Sequence, residues 1–364
     1  MPPRPAAGWR CARVAGIIRP MRYFGGSFLV TFAGLAGAGA LGWRSTGTVE
    51  GMLTTLFIVA VLGVLEVSLS FDNAVVNAKV LGGMDAVWRR RFITWGMAIA
   101  VFGMRIVFPL LIVAIIAGVS PVAAVTMAVT DPGEYARVLT SADVAVSAFG
   151  GAFLAMVGLK HFFDIEKDVH WIAVIERPLT RLGRIEAVEL GLVLLLLWGI
   201  GRQLSGHEQP TFYVAGMLGL VTYIAVDGIA ALLDVGEGAG EVVARSGAAS
   251  FLYLEVLDAS FSFDGVIGAF ALSNDLFVIA IGLGIGAMFV RSLTIMLVAK
   301  GTLTEYRYLE HGAFYAIVAL GVIMFVKTLV HVPEAVTGLI GAGFIAMAFA
   351  DSVRHNRRAA GRAA

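Results

Sequence analysis

Ten long apolar runs, at residues 23–43, 51–78, 92–118, 142–163, 187–204, 211–234, 250–272, 276–299, 312–330 and 334–350, leave this chain little choice but a lipid bilayer. About 20 helical residues cross roughly 30 Å of hydrocarbon, and in lipid every backbone amide must find its partner within the protein. A 364-residue chain that is 59% hydrophobic and 15% charged has more apolar surface than a soluble core of ordinary composition can hide. The expected fold is all-α, a polytopic membrane helical bundle of about ten transmembrane helices.

Charge along the chain sets the expected orientation. Lys79, Arg89, Arg90 and Arg91, then Lys160, Lys167, Arg177, Arg181 and Arg184, then Arg245, then Lys300 and Arg307, then Arg354, Arg357, Arg358 and Arg362 fall between alternate runs; the opposite connections hold only Arg44, Arg137 and Arg202. By the positive-inside rule both termini of this multi-pass membrane protein are expected to be cytoplasmic. Residues 1–22, with Arg4, Arg10, Arg13, Arg19 and Arg22, read as a disordered basic tail, with Met21 a second candidate start. Residues 351–364 read as a basic tail at the other terminus. No basic patch points to nucleic acid, and one cysteine, Cys11, gives neither a disulfide nor a thiolate metal site.

Ten runs divide into halves of five, 23–204 and 205–350, whose features recur in order. Ser68-Leu69-Ser70-Phe71-Asp72-Asn73 returns as Ser260-Phe261-Ser262-Phe263-Asp264-Gly265, each with a carboxylate six residues before its Asp, Glu66 and Asp258. Arg105 and Arg291 follow in the next run of each half, and Lys160 and Lys327 in the one after. Five being odd, the second half must thread the membrane upside down. Inverted repeats that carry polar residues to the midplane mark secondary transporters.

Intramembrane acids cost roughly 2.5–3.5 kcal/mol each on insertion scales and are functional candidates by default. At about 100° per residue, Glu66, Ser70 and Asn73 share one helix face, as do Glu255, Asp258 and Ser262. Asp72 and Asp264 lie well round from Glu66 and Asp258, so the acids converge only if the helices break, for which Asp72-Asn73 and Asp264-Gly265 are suited. Carboxylate, carboxamide and hydroxyl oxygens suit Mg²⁺, Ca²⁺ or Mn²⁺, and none of the six His lies in these phrases. The alternative is neutralisation by Arg105, Arg291, Lys160 and Lys327 in buried ion pairs, the preferred role for the two arginines, or simple protonation of the acids. Asp227 is a further intramembrane acid with no counterpart in the first half, either a proton carrier or accessory ligand or a structural Asp. Residues 160–186 mix His and acids but read as a cytoplasmic amphipathic, interfacial helix interrupted at Pro178.

The phrases EVSLSFDNAVV at 66–76 and DASFSFDGVIG at 258–268 resemble the TerC family of integral membrane proteins, in the lysine exporter superfamily, over about residues 51–330. Gly265, where many relatives have a polar residue, and the long 164–186 insertion suggest a divergent branch. The resemblance implies divalent-cation binding at Glu66, Asp72, Asn73, Asp258 and Asp264, with Mn²⁺ export as the activity. The expectation is a non-enzymatic exporter of Mn²⁺, with Ca²⁺ the second choice, without a prosthetic group, in which Ser70 and Ser262 complete the coordination and protons are the coupling ion. A membrane metallochaperone or scaffold with membrane-protein partners would need a soluble docking surface, for which only 160–186 qualifies. An intramembrane enzyme ranks last, since no nucleophile is paired with a base.

Overall fold

The structure is a computed structural model. It describes residues 23–363 except 97, 186 and 235–246, and within helices it leaves out the side chains of 229–234, 263–264, 334–335 and 360–363. The N-terminal tail, Arg245 and the side chain of Asp264 therefore lie outside the described residues.

In chain order the elements are α1 (Gly25–Thr46), α2 (Val49–Leu69), α3 (Phe71–Gly83), α4 (Ala86–Arg91), a π-helical run in two pieces (Phe92–Gly96 and Ile99–Val107), α5 (Phe108–Ala117), α6 (Pro121–Thr130), α7 (Pro132–Thr140), α8 (Asp143–Phe163), α9 (Ala173–Leu182), α10 (Val188–Gly201), α11 (Glu208–Asp234), α12 (Gly247–Ala269), α13 (Leu276–Lys300), α14 (Thr302–Glu305), α15 (Leu309–Lys327) and α16 (Glu334–Ala363). No strand occurs among the described residues. Local signals fix many ends. The Thr48 hydroxyl accepts from the Gly51 amide at 3.1 Å to start α2, and Asp275 accepts from the Phe277 amide at 2.8 Å to start α13. Gly118 and Gly301 close α5 and α13 with φ of 64° and 62°, a region that only glycine enters cheaply.

Among the described residues, eight helical stretches are long and apolar enough to cross a membrane: α1, α2, the 86–117 stretch, α8, α11, α13, α15 and α16. The other two expected spans differ. The run at 250–272 is α12, which carries Glu255, Asp258 and Asp264 and so dilutes its own hydropathy. The run at 187–204 becomes α10, 14 residues long, or about 21 Å at 1.5 Å per residue, short of the hydrocarbon thickness.

One further expectation is corrected, and the form of the C-terminal segment is defined. The 51–78 run is two helices broken at Ser70 (φ −105°, ψ 15°), two residues before the expected Asp72-Asn73 break. Its counterpart α12 runs through Asp264-Gly265 unbroken. The expected C-terminal tail is the continuation of α16, docked by the Trp171 indole N–H on Asp351 (3.0 Å) and the Asn356 amide on the Glu305 carbonyl (2.9 Å).

One end of the bundle gathers Lys79, Gly83, Lys160, Asp164, Glu166 and Glu189 around a cavity of about 780 Å³, and Lys167, Arg307, Glu310 and His355 around a neighbouring one of about 640 Å³. The other end holds α6 and α7, where Tyr135 and Leu139 pack with Phe270 and Leu276. Residues 49–83 therefore run toward the lysine-rich end and α12 away from it. Between the ends, Phe153, Leu154, Leu254, Leu257 and Phe325 form the main core. Gly151 and Gly321 bring α8 and α15 together: a Cβ at either would lie 3.1–3.2 Å from the other's carbonyl oxygen.

Residues 164–186 form a strap closed onto the lysine-rich end, and the expected interruption at Pro178 does not occur. Only 173–182 are helical, and the helix continues through Pro178. Glu176 is fully buried and accepts from Lys167 Nζ (2.9 Å) and from the amides of Trp171 (3.2 Å) and Ile172 (3.1 Å). His311 Nε2 and His170 Nδ1 face it at 3.5 and 3.7 Å. Burial alone would raise the Glu176 carboxyl, but Lys167 and the Ile172 amide hold it below the usual range. Burial also lowers the Lys167 ammonium against the pull of Glu176.

Candidate functional site

The break at Ser70 puts Asp72 in the first turn of α3, where the positive end of the helix dipole favours a carboxylate. Asp72 Oδ1 accepts from the Asn73 amide at 2.9 Å. Ser70, in the last turn before the break, donates to Glu66 Oε1 at 2.9 Å. Across the interface, Asn73 Nδ2 donates to Asp258 Oδ1 of α12 at 2.6 Å. That bond joins the two sequence phrases directly. Asp72, Asn73, Ser70, Glu66, Asp258 and Ser262 are all buried, and Glu255 is half-buried.

The basic residues divide. Arg105, buried on the π-helical run, forms an ion pair with Glu66 and also donates to the Ala100 carbonyl on its own run. Its counterpart Arg291 donates to the Ile93 carbonyl at 3.3–3.4 Å and so braces the same run. Lys160 lies at the lysine-rich end, mostly exposed and 3.8 Å from Glu189. Lys327 closes α15 at the opposite end. Neither lysine belongs to the midplane cluster. Asp227 is half-buried on α11, which packs against α8.

What the cluster lacks is donors. Asn73 Oδ1, Asn77 Oδ1, Asp258 Oδ2, Ser262 Oγ and both oxygens of Glu255 are buried and have no hydrogen-bond partner. Such orphaned acceptors are rare in folded proteins and call for a cation, a proton or ordered water. Among the described residues, no three His, Cys, Asp or Glu side chains converge as a ready metal cage. The oxygens are instead mixed carboxylate, carboxamide and hydroxyl, a set that suits a hard divalent ion and is poor for zinc or copper.

Asn77 escapes the sequence reading. It is buried, one turn beyond Asn73 on α3, and FDNAVVNAK carries the pair at i, i+4, a spacing that would have flagged it. Gly286 is the other omission. A Cβ there would lie 2.6 Å from Glu66 Cγ, so α13 reaches the carboxylate only because the residue is glycine. A Cβ at Gly265 would lie in ordinary contact with Glu66, 3.5 Å from Oε2. The larger cavity begins one to two turns from the cluster on the same helices, at Val76, Lys79 and Val80 of α3 and Ser250 and Tyr253 of α12.

The family described as a protein of unknown function, DUF475, matches residues 71–359. The chain belongs to the DUF475 family. The DUF475 match begins at the first residue of α3 and spans Asp72, Asn73, Asn77, Arg105 and Asp258, leaving Glu66 and Ser70 just outside it. No curated protein and no solved structure gives a significant match.

Proposed function

We propose that this protein carries a divalent cation across a bacterial inner membrane, with Mn²⁺ as the first candidate, Ca²⁺ the second, and export as the direction. The observation that carries the reading is that two acidic phrases meet at the Asn73–Asp258 bond and carry orphaned oxygens on Asn73, Asn77, Asp258, Ser262 and Glu255. A hard dication would satisfy several of them at once. Asp72 and Glu66 add charge, and Asp264, whose side chain lies outside the described residues, completes the set that the TerC resemblance implies. Positive-inside reasoning makes the lysine-rich end cytoplasmic, so the 780 Å³ cavity becomes the vestibule from which the ion is loaded.

The inverted-repeat reading draws support from mirrored contacts. α2 packs on α13 as α12 packs on the π-helical run, and α3 packs on α15 as α12 packs on α8. Rocking of one half on the other would then alternate access. The scaffold alternative would use the strap's outer face, where Ile165, Val174 and Ile185 are exposed; the orphaned oxygens of the cluster favour the carrier over it.

The test is Mn²⁺ uptake into inside-out vesicles, with Ca²⁺ in parallel and an imposed proton gradient to probe coupling. Wild type should accumulate Mn²⁺, and Asp258→Asn and Asn73→Ala should abolish uptake while the proteins still insert. Wild-type vesicles that take up neither ion would overturn the reading.

A further inference from the structure

The same cluster contains a cation of its own. Arg105 is 4% exposed at its side chain, Glu66 3%, and the two are paired in the bundle interior. Among the described carboxylates of the cluster, Glu66 is the one in a direct ion pair with Arg105, while Asp258 and Glu255 keep oxygens without donors. Arg105 is also poorly bound elsewhere. Its guanidinium spends one nitrogen on the Ala100 carbonyl of its own run, and its Nε, although buried, has no partner.

The backbone under Arg105 is unusual as well. Residues 92–96 and 99–107 are π-helical, a geometry that is rare, appears mostly as single turns, and concentrates at functional sites. A π-helical run holds surplus residues relative to an α-helix of the same length, and each residue absorbed or released rotates the remainder of the helix by about 100°. The run is anchored at its start by Arg291, which grips the Ile93 carbonyl from α13. Beside it, a Cβ at Gly96 would lie 2.6 Å from Glu255 Oε1, so a carboxylate without hydrogen-bond donors flanks the path along the run. One arginine thus braces the run, and the other rides on the part that can change register.

We infer that Arg105 is a tethered competitor for the transported cation: its guanidinium holds Glu66 when the site is empty of metal and is displaced, by a change of register in 99–107, when the ion loads. This rests on the cation-carrier reading and adds to it the element that resets the site. A competitor attached to the protein weakens ion binding in proportion to how fully it occupies the shared ligand. It also speeds release, because the returning guanidinium takes back the carboxylate as the ion departs.

The test is calorimetric titration of the purified full-length chain with Mn²⁺, beside Mn²⁺ transport in inside-out vesicles. Arg105→Met should bind Mn²⁺ about tenfold tighter than wild type, and its KM and maximal transport rate should fall together, since the ion loads readily and leaves slowly. In a Glu66→Gln background the same substitution should change affinity by less than about twofold, because the contested ligand is gone. Should the methionine variant fail to fold, Arg105→Gln carries the same expectation, as it keeps a donor for Glu66 but no charge. Arginine variants that bind Mn²⁺ no tighter than wild type overturn the competitor and leave the carrier reading standing. If neither wild type nor either variant binds Mn²⁺ or Ca²⁺, the carrier reading fails and the competitor with it. An affinity gain that persists in the Glu66→Gln background overturns the tethered exchange in favour of a diffuse field effect.

Discussion

Gly286→Ala is the smallest change that reaches the cluster without touching a polar atom. A methyl there meets Glu66 Cγ at 2.6 Å and the Gly63 carbonyl oxygen at 2.7 Å. The carbonyl is backbone and cannot swing aside, so α2 and α13 must separate. Overpacking of this kind costs about 1–3 kcal/mol, against a gain of roughly 0.5–1 kcal/mol for alanine over glycine in a helix interior. Gly284, two residues earlier on the same buried stretch, supplies the control: its Cβ would meet only Val101 Cγ1, at 4.0 Å. Gly284→Ala should therefore be neutral or slightly stabilising, and Gly286→Ala less stable than it by about 2 kcal/mol. Glu66 would be pushed as well, so Mn²⁺ uptake should fall in the second variant alone. The assay is thermal unfolding in detergent with parallel vesicle uptake. Equal melting temperatures and equal uptake for the two variants would refute the close approach of α13 to Glu66.

Removing an orphaned acceptor should relieve the fold, so Asn77→Leu is expected to melt no lower than wild type, and to lose Mn²⁺ uptake if the carbonyl is a ligand; unchanged uptake excludes it as one. Glu66→Gln strands the Arg105 guanidinium and should cost about 3–5 kcal/mol, whereas Asp72→Asn, which breaks no ion pair in the structure, should be tolerated. Melting curves that rank these two the other way would reverse the pairing. The strap should respond to acid. Because Glu176 is held below its ordinary value of 4.5, it stabilises the strap above that value, and the contribution is lost as pH falls through the lowered one. Protease or thiol-probe access to residues 164–172 should accordingly rise only in strongly acidic buffer, and early loosening between pH 7 and pH 5 would contradict it.

Hydropathy and charge made the bundle and its segregated ends legible, because helix length and lysine placement answer to the bilayer and to little else. The phrases around Asp72 and Asp258 were also readable, since acids in an apolar run have few structural uses, and the Asn73–Asp258 bond brings the two phrases together. Register was not readable. Nothing local in FITWG or IAVFGMRIV announces a π-helical run. The break at Ser70 was misplaced by two residues because Asp-Asn is the stronger turn signal, while packing around Glu66 decided the outcome. The partners of residues 164–186 were not readable, because amphipathic composition suits a membrane surface and a protein surface alike, whereas Glu176 meets His311 and Trp171 meets Asp351 far along the chain.

That distance has a consequence for assembly. Trp171 bonds to Asp351, 180 residues later, and Val169 to His311, 142 residues later. At ribosomal rates of about 5–20 residues per second, roughly ten seconds or more separate synthesis of the strap from arrival of the helix that fastens it. Until then the strap lacks both of these long-range fastenings. The strap can be fully fastened only after α16 has been made, and a chain truncated before α16 would lack the Trp171–Asp351 bond.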